Sequence, residues 1–123
     1  MTISVETMQG LKRTHYCGGI NKEHIGESIV LMGWVQKRRD HGGLIVVDLR
    51  DRTGLVQIVF SPDLAQEAFH KGAAIRSEYV LAVRGKVRVR PDGTENPNLP
   101  TGEVEVVCYE LRVLNMAKTP PFY

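Results

Sequence analysis

Polar and charged side chains recur at alternate positions in segments with the composition of β-strands. One set combines two cations, an amide and a carboxylate: Lys37, Arg39, Gln57 and Glu105. Ammonium and guanidinium groups neutralise phosphates. An amide offers an acceptor and two donors to the edge of an unpaired base, and a carboxylate accepts from exocyclic amines. Together these residue types predict a surface that reads single-stranded nucleic acid.

Residue types that catalyse reactions or bind metals do not converge in the sequence. The four histidines and two cysteines are scattered, and their closest pair is His15 and Cys17, whereas a zinc site needs about four converging ligands. The chain has no phosphate loop and no nucleophile elbow. We therefore expect no metal, no cofactor and no enzymatic activity in this chain by itself.

The composition indicates one folded domain. The 123 residues are 42% hydrophobic, which suffices for a single core. No run approaches the roughly 18 apolar residues of a membrane span, and the N-terminus has no secretory pattern. The two cysteines match no disulfide or metal spacing. These features favour a cytoplasmic protein without a membrane partner.

The distribution of charge is more informative than the net charge of +2. Nine of the 16 basic residues fall in two short windows: Lys37, Arg38, Arg39, Arg50 and Arg52, and Arg84, Lys86, Arg88 and Arg90. Such clustering is typical of a phosphate-binding face. A solvated sheet face with no ligand would also explain it.

Apolar alternation and turn residues predict five strands and one helix. The strands are predicted at 28–39, 44–50, 55–60, 79–90 and 103–114, with a bulge or bend at Gly33. A helix is predicted to begin at Ser61-Pro62-Asp63 and to end near Arg76, weakened at Gly72. The order predicts an all-β fold, a five-stranded OB-fold Greek-key barrel with a helix between strands three and four.

Alternation also predicts which side chains face the core. The inward set is Ile45, Val47, Leu49, Val56, Ile58, Phe60, Val83, Gly85, Val87, Val89, Val104 and Val106. Val46, Gln57 and Val59 then face outward with Lys37 and Arg39. For Glu105 two interpretations stay open, a contact with a base amine or a cross-strand ion pair with an arginine.

Several segments resemble, in order and spacing, the N-terminal anticodon-binding domain of bacterial-type aspartyl-tRNA synthetases. They are Arg13–Gly18, Gly33–Val35, Lys37–Gly43, Asp48–Gln57, Thr101–Val106 and Pro120–Phe122. The resemblance implies a domain that binds the anticodon loop of tRNA-Asp within a homodimeric class II ligase that uses ATP and magnesium. The irregular composition of 1–12 predicts a flexible lead-in, the barrel is predicted at 13–117, and Lys118-Thr119-Pro120-Pro121 predicts the start of a linker at 118–123. The resemblance implies that this linker leads to a catalytic domain absent from this chain.

The same resemblance implies individual roles. Gln57 would read the middle anticodon base, Lys37 and Arg39 would contact the bases or their backbone, and Glu105 would address the first base. Two further residues would lie near the loop backbone: Arg88 and Arg90. The family usually has phenylalanine where this chain has Val46, and often an aromatic residue at Val59. Because stacking is worth about 1–3 kcal/mol per base, we expect weaker binding or looser discrimination.

Two further positions bear on specificity. Relatives that charge both tRNA-Asp and tRNA-Asn resemble this chain at His41 and Gly93, which predicts a non-discriminating parent enzyme, although His41 also fits an ordinary polar turn residue. The equivalent domain of an asparaginyl- or lysyl-tRNA synthetase shares the barrel. Two further hypotheses fit the same strand pattern: a stand-alone domain that binds single-stranded nucleic acid, and a barrel that binds another protein.

Overall fold

Five strands close into a barrel in the computed structural model, which describes residues 6–7 and 10–116. They are β1 (Ser28–His41), β2 (Leu44–Asp51), β3 (Gly54–Phe60), β4 (Val80–Val89) and β5 (Val104–Asn115), and the helix α1 (Gln66–Ala73) lies between β3 and β4. The strand order is β1-β2-β3-β5-β4. Only the β3–β5 pair among them is parallel. The predicted OB-fold barrel is therefore confirmed.

The barrel interior holds the side chains that alternation assigned to it. Of the predicted inward set, Val47, Leu49 and Ile58 are fully buried, as are Val83 on β4 and Val104 and Val106 on β5. The prediction for Val89 is wrong, since this side chain is 54% exposed. Val89 is the last residue of β4, and little of the barrel extends past it to cover the side chain.

β1 serves two neighbours in succession. It pairs with β4 from Ser28 to Trp34 and with β2 from Trp34 to His41. The register shift on the β2 side falls between Val35 and Lys37, two residues after the position predicted from Gly33. Gly33 instead allows close approach, because a Cβ there would lie 2.4 Å from the carbonyl oxygen of Arg50.

The helix begins later than predicted. Residues 61–64 form a turn in which the Ser61 carbonyl accepts from the Leu64 and Ala65 amides at 3.3 and 2.9 Å, and α1 starts at Gln66 without a side-chain cap. Gly72 does not interrupt the helix. A Cβ at Gly72 would lie 2.8 Å from the Phe60 ring, so this glycine lets α1 approach the end of β3.

Part of the N-terminal segment lies against β5. The Glu6 amide donates to the Val113 carbonyl at 2.6 Å, and its carboxylate pairs with Lys71 at 2.8 Å. The predicted linker start at 118–123 lies outside the described residues, as do 1–5 and 8–9. Within the part of the chain that the structure describes, no helix is long and apolar enough to cross a membrane.

Candidate nucleic-acid interface

One outward-facing row crosses all five strands, and we call it the polar row. It consists of Lys37 (β1), Asp48 (β2), Gln57 (β3), Glu105 (β5) and Arg88 (β4). The strand register places Lys37 beside Asp48, Asp48 beside Gln57, and Glu105 beside Arg88. Barrel closure joins β3 to β5, so a single face carries residues that are far apart in sequence.

Hydrogen bonds connect four members of this row, Asp48, Gln57, Glu105 and Arg88, through a network that also includes Arg39, two residues past Lys37 on β1. Arg39 donates to both carboxylate oxygens of Asp48 at 2.9 and 3.1 Å, and to Gln57 Oε1 at 3.3 Å. Gln57 Nε2 donates to Glu105 Oε1 at 2.9 Å. Arg88 Nε donates to Glu105 Oε2 at 2.7 Å. The donors and acceptors on both sides of Gln57 fix the orientation of its amide.

The connected charges cancel. Arg39 and Arg88 supply two positive charges, and Asp48 and Glu105 supply two negative ones. Hydrogen bonding to Asp48 raises the pKa of Arg39. Glu105 is 2% exposed, and a buried carboxylate of this kind requires such partners. The cross-strand ion pair left open for Glu105 is therefore present, and it holds the carboxylate in place.

A second row lies beside the polar row and has an apolar centre. Register places Arg39 beside Val46, Val46 beside Val59, Val59 beside Val107, and Val107 beside Lys86. Val46 is only 7% exposed, and Val59 and Val107 are also buried. Val46 and Val59, where the family resemblance places aromatic rings that stack on bases, are thus already covered by neighbouring residues in the chain without RNA.

The two arginines predicted near the RNA backbone differ in their surroundings. The Arg88 side chain is partly exposed and joins the polar row. Arg90 is 6% exposed, and its guanidinium donates to the Val104 and Thr94 carbonyls at 3.0 and 3.3 Å. Burial lowers the pKa of Arg90. The structure therefore directs Arg90 toward the loop between β4 and β5 rather than toward solvent.

His41 and Gly93 lie beyond opposite ends of this face. His41 ends β1, two residues past Arg39. Gly93 follows β4 in the loop to β5, and its φ is +85°. Since β1 and β4 leave the polar row in opposite directions along the strand axis, the two residues bracket the face without meeting.

Sequence reasoning missed two residues of this surface. Asp48 was recognised as part of a matching segment but not as a member of the site; its position opposite Lys37 was the available signal. Tyr109 is 44% exposed and follows Glu105 and Val107 at alternate positions of β5. It lies where the β4–β5 register shifts, between Cys108 and Glu110, and it supplies an exposed aromatic ring two residues past Val107 of the second row.

Metal binding and thiol chemistry find little support in the described residues. Among residues 6–7 and 10–116, no group of three or more His, Cys, Asp or Glu side chains could hold a metal ion. Cys17 and Cys108 are buried, and burial raises the pKa of both thiols. A thiol held in its neutral form is a poor nucleophile and a poor metal ligand.

A closed five-stranded barrel with a hydrogen-bonding row across its open face defines a class of domain that binds single-stranded nucleic acid. The family model tRNA_anti-codon, described as an OB-fold nucleic acid binding domain, matches residues 29–114. The chain belongs to this family.

Individual relatives agree with the family. The aspartate–tRNA(Asp/Asn) ligase of Heliobacterium modesticaldum is 60% identical over 119 residues, 97% of this chain and 20% of the relative. The ligase of the same name from Moorella thermoacetica is 59% identical over 98% of this chain and 20% of its own length. Asparaginyl-tRNA synthetase from Pyrococcus horikoshii is 29% identical with a TM-score of 0.69, over 84% of this chain and 23% of that one. The chain thus spans about a fifth of the curated relatives it matches.

Proposed function

We propose that this chain is the anticodon-binding domain of an aspartate–tRNA ligase and that the polar row reads the anticodon bases of tRNA-Asp. The observation that carries the proposal is the hydrogen-bonded network of Arg39 with four members of the polar row, Asp48, Gln57, Glu105 and Arg88, whose charges balance within the network. Because this network carries no net charge, it attracts phosphates weakly, and we expect its donors and acceptors to form hydrogen bonds with base edges. The names of the relatives support the choice of ligand.

The unused hydrogen-bonding positions of Gln57 suit this task. Its amide oxygen accepts once from Arg39, and its amide nitrogen donates once to Glu105. An amide has a second oxygen lone pair and a second N–H. One acceptor and one donor therefore remain side by side for the Watson–Crick edge of a splayed base. We assign the middle anticodon base to Gln57, with Lys37, Arg39 and Glu105 contacting its neighbours.

In the parent protein this binding would select the tRNA, and catalysis would take place elsewhere. The parent enzyme would join aspartate to tRNA in the cytoplasm, as a homodimer, with ATP and magnesium. The described residues would contribute recognition to that reaction; no group of three or more His, Cys, Asp or Glu side chains among them could hold a metal ion.

A titration of RNA hairpins tests the proposal. The chain is mixed with a fluorescently labelled anticodon stem-loop of tRNA-Asp and with hairpins altered at the middle base. We expect a preference of about 1–3 kcal/mol for the native base, the usual worth of a bidentate base contact. Gln57→Ala should remove this preference while leaving binding to the altered hairpins nearly unchanged. Equal binding of all hairpins by the unaltered chain would exclude the anticodon assignment.

The same titration addresses tRNA-Asn, whose anticodon differs from that of tRNA-Asp in the last base. We propose that the chain accepts both, because its relatives carry Asp/Asn in their names, and that His41 and Gly93 bear on this choice from opposite ends of the face. The expected result is comparable affinity for both hairpins. A hundredfold preference for the aspartate hairpin would contradict it.

A further inference from the structure

A tyrosine between two arginines lies outside the polar row. The guanidinium carbon of Arg13 is 4.2 Å from the centre of the Tyr16 ring, and that of Arg52 is 5.3 Å from it. The Tyr16 hydroxyl accepts hydrogen bonds from Arg13 at 2.9 Å and from Arg52 at 3.4 Å. All three residues are exposed. Cation–π contact and hydrogen bonding thus hold two positive groups near one another.

Backbone contacts fix this arrangement from below. The Cys17 amide donates to Asp51 at 2.7 Å, and the Gly18 amide donates to the Thr53 hydroxyl at 2.9 Å. A Cβ at Gly18 would lie 2.2 Å from the Thr53 carbonyl oxygen. The segment that carries Tyr16 therefore packs directly on the β2–β3 turn that carries Arg52, and this packing brings the two side chains close to one another.

The two arginines lack the neutralisation found in the polar row. Among the described residues, neither Arg13 nor Arg52 has a carboxylate within ion-pair distance. The nearby Asp51 accepts from Cys17 and Thr53 instead. Both guanidinium groups donate to the same Tyr16 hydroxyl, and their remaining N–H groups can donate to an anion. Guanidinium forks match the oxygens of a phosphate group.

The position of these residues indicates the source of the phosphate. Arg52 follows Asp48 by four residues on the same strand and turn, which is about 13 Å at the rise of a β-strand. A nucleic acid strand whose bases lie on the polar row can therefore extend to the β2–β3 turn. Because the charges of Arg39, Asp48, Glu105 and Arg88 cancel, phosphate attraction has to come from other cations, such as Lys37 within the row and Arg13 and Arg52 beyond it.

We propose that Arg13, Tyr16 and Arg52 form a binding site for backbone phosphates of the RNA that flanks the bases read by the polar row. This inference rests on the proposed function for the identity of the RNA. The site supplies affinity without sequence information, since a phosphate is the same in every nucleotide.

The salt dependence of hairpin binding tests this site. Each lost phosphate contact lowers the slope of log affinity against log salt by about 0.7 to 0.9. We therefore expect the double variant Arg13→Gln, Arg52→Gln to lose about 1.4 to 1.8 of slope, while its preference for the native middle base stays unchanged. Gln57→Ala should show the reverse pattern, with the slope kept and the preference lost.

Matched variants separate the site from general charge effects. Lys71→Gln removes one positive charge on α1. This helix packs against the end of β3 at Phe60, whereas the segment with Gly18 packs against the start of β3 at Gly54. Lys71 and the proposed phosphate site therefore lie toward opposite ends of β3. Lys71→Gln should leave the slope of log affinity against log salt unchanged. Arg52→Lys, which keeps the positive charge, should retain most of that slope.

Thermal unfolding checks that each variant is folded. An unaltered slope in a folded double variant that still binds RNA would overturn the site and leave the proposed function standing. No binding by the unaltered chain would overturn both.

Discussion

The carboxylate of Asp48 accepts two hydrogen bonds from the guanidinium group of Arg39. Such a bidentate contact fixes the plane of the guanidinium as well as its position. Arg39 in turn donates to Gln57, so a residue that needs no contact with RNA can control how the amide of Gln57 is presented. We therefore expect Asp48 to act as a positioning residue if Gln57 reads a base as proposed. The expected consequence of Val46 in place of an aromatic ring, weaker anticodon binding or looser discrimination, stays a prediction.

Replacing Asp48 should separate affinity from selectivity. In Asp48→Ala, Arg39 loses its anchor and the face gains a net positive charge. We expect the preference for the native middle base to fall severalfold, while binding to unrelated hairpins becomes tighter and more dependent on salt. Fluorescence titration of native and altered hairpins measures both quantities.

Asp40→Ala provides the control for this change. Asp40 pairs with Arg38 at 3.3 Å and is exposed, so its removal changes the charge equally without releasing Arg39. Retained selectivity in Asp48→Ala would show that Asp48 does not position the reading groups.

At the scale of elements, glycines set how closely the helix and turns approach the barrel. α1 reaches β3 because Gly72 presents no side chain to the Phe60 ring. The segment before β1 reaches the β2–β3 turn because Gly18 presents none to Thr53. These contacts locate Tyr16 beside Arg52 and close the end of the barrel beside the helix.

Gly72→Ala should destabilise the domain even though alanine favours helices. Helix propensity alone would stabilise by about 1 kcal/mol. The added carbon would lie 2.8 Å from the fully buried Phe60 ring, and overpacking of this kind costs about 1–3 kcal/mol. Urea unfolding should therefore show a lower midpoint.

Gly19→Ala is the matched control, because a Cβ there meets nothing within 4 Å. We expect its midpoint to equal or exceed that of the unaltered chain. A Gly72→Ala protein as stable as this control would mean that α1 can move away from β3 at little cost.

For the whole molecule, carboxylates link stability to pH. Burial alone would raise the pKa of Asp51, but hydrogen bonds from Thr53 and Cys17 outweigh burial and hold the pKa below its usual value. Hydrogen bonds from Arg112 and Arg84 lower the pKa of Glu110. A group whose pKa is lower in the folded state contributes its full stabilisation above the unfolded pKa and loses it as pH falls through the folded one.

The chain should consequently lose stability as pH falls below about 4, the ordinary pKa of these carboxyl groups. Asp51→Asn should lower the free energy of unfolding at pH 7 by about 1–3 kcal/mol, since the Cys17 and Thr53 donors lose a charged acceptor. It should also flatten the decline in acid. Asp63→Asn, at an exposed position in the turn before α1, should leave the pH profile unaltered. Urea unfolding at several pH values gives the comparison, and identical profiles for both variants would contradict this role of Asp51.

The sequence by itself determined the strands and their faces, because alternation and turn residues are local: Val47 and Ile58 face the core, and Gln57 faces outward, as predicted. The family resemblance predicted the ligand, the anticodon loop of tRNA-Asp. Only the tertiary structure decided which polar groups neutralise each other. Gln57 meets Glu105 because the barrel closes through a parallel β3–β5 pair, and Arg90 turns away toward backbone carbonyls. Cross-strand partners depend on register and closure, which bring distant residues together and which no local pattern encodes.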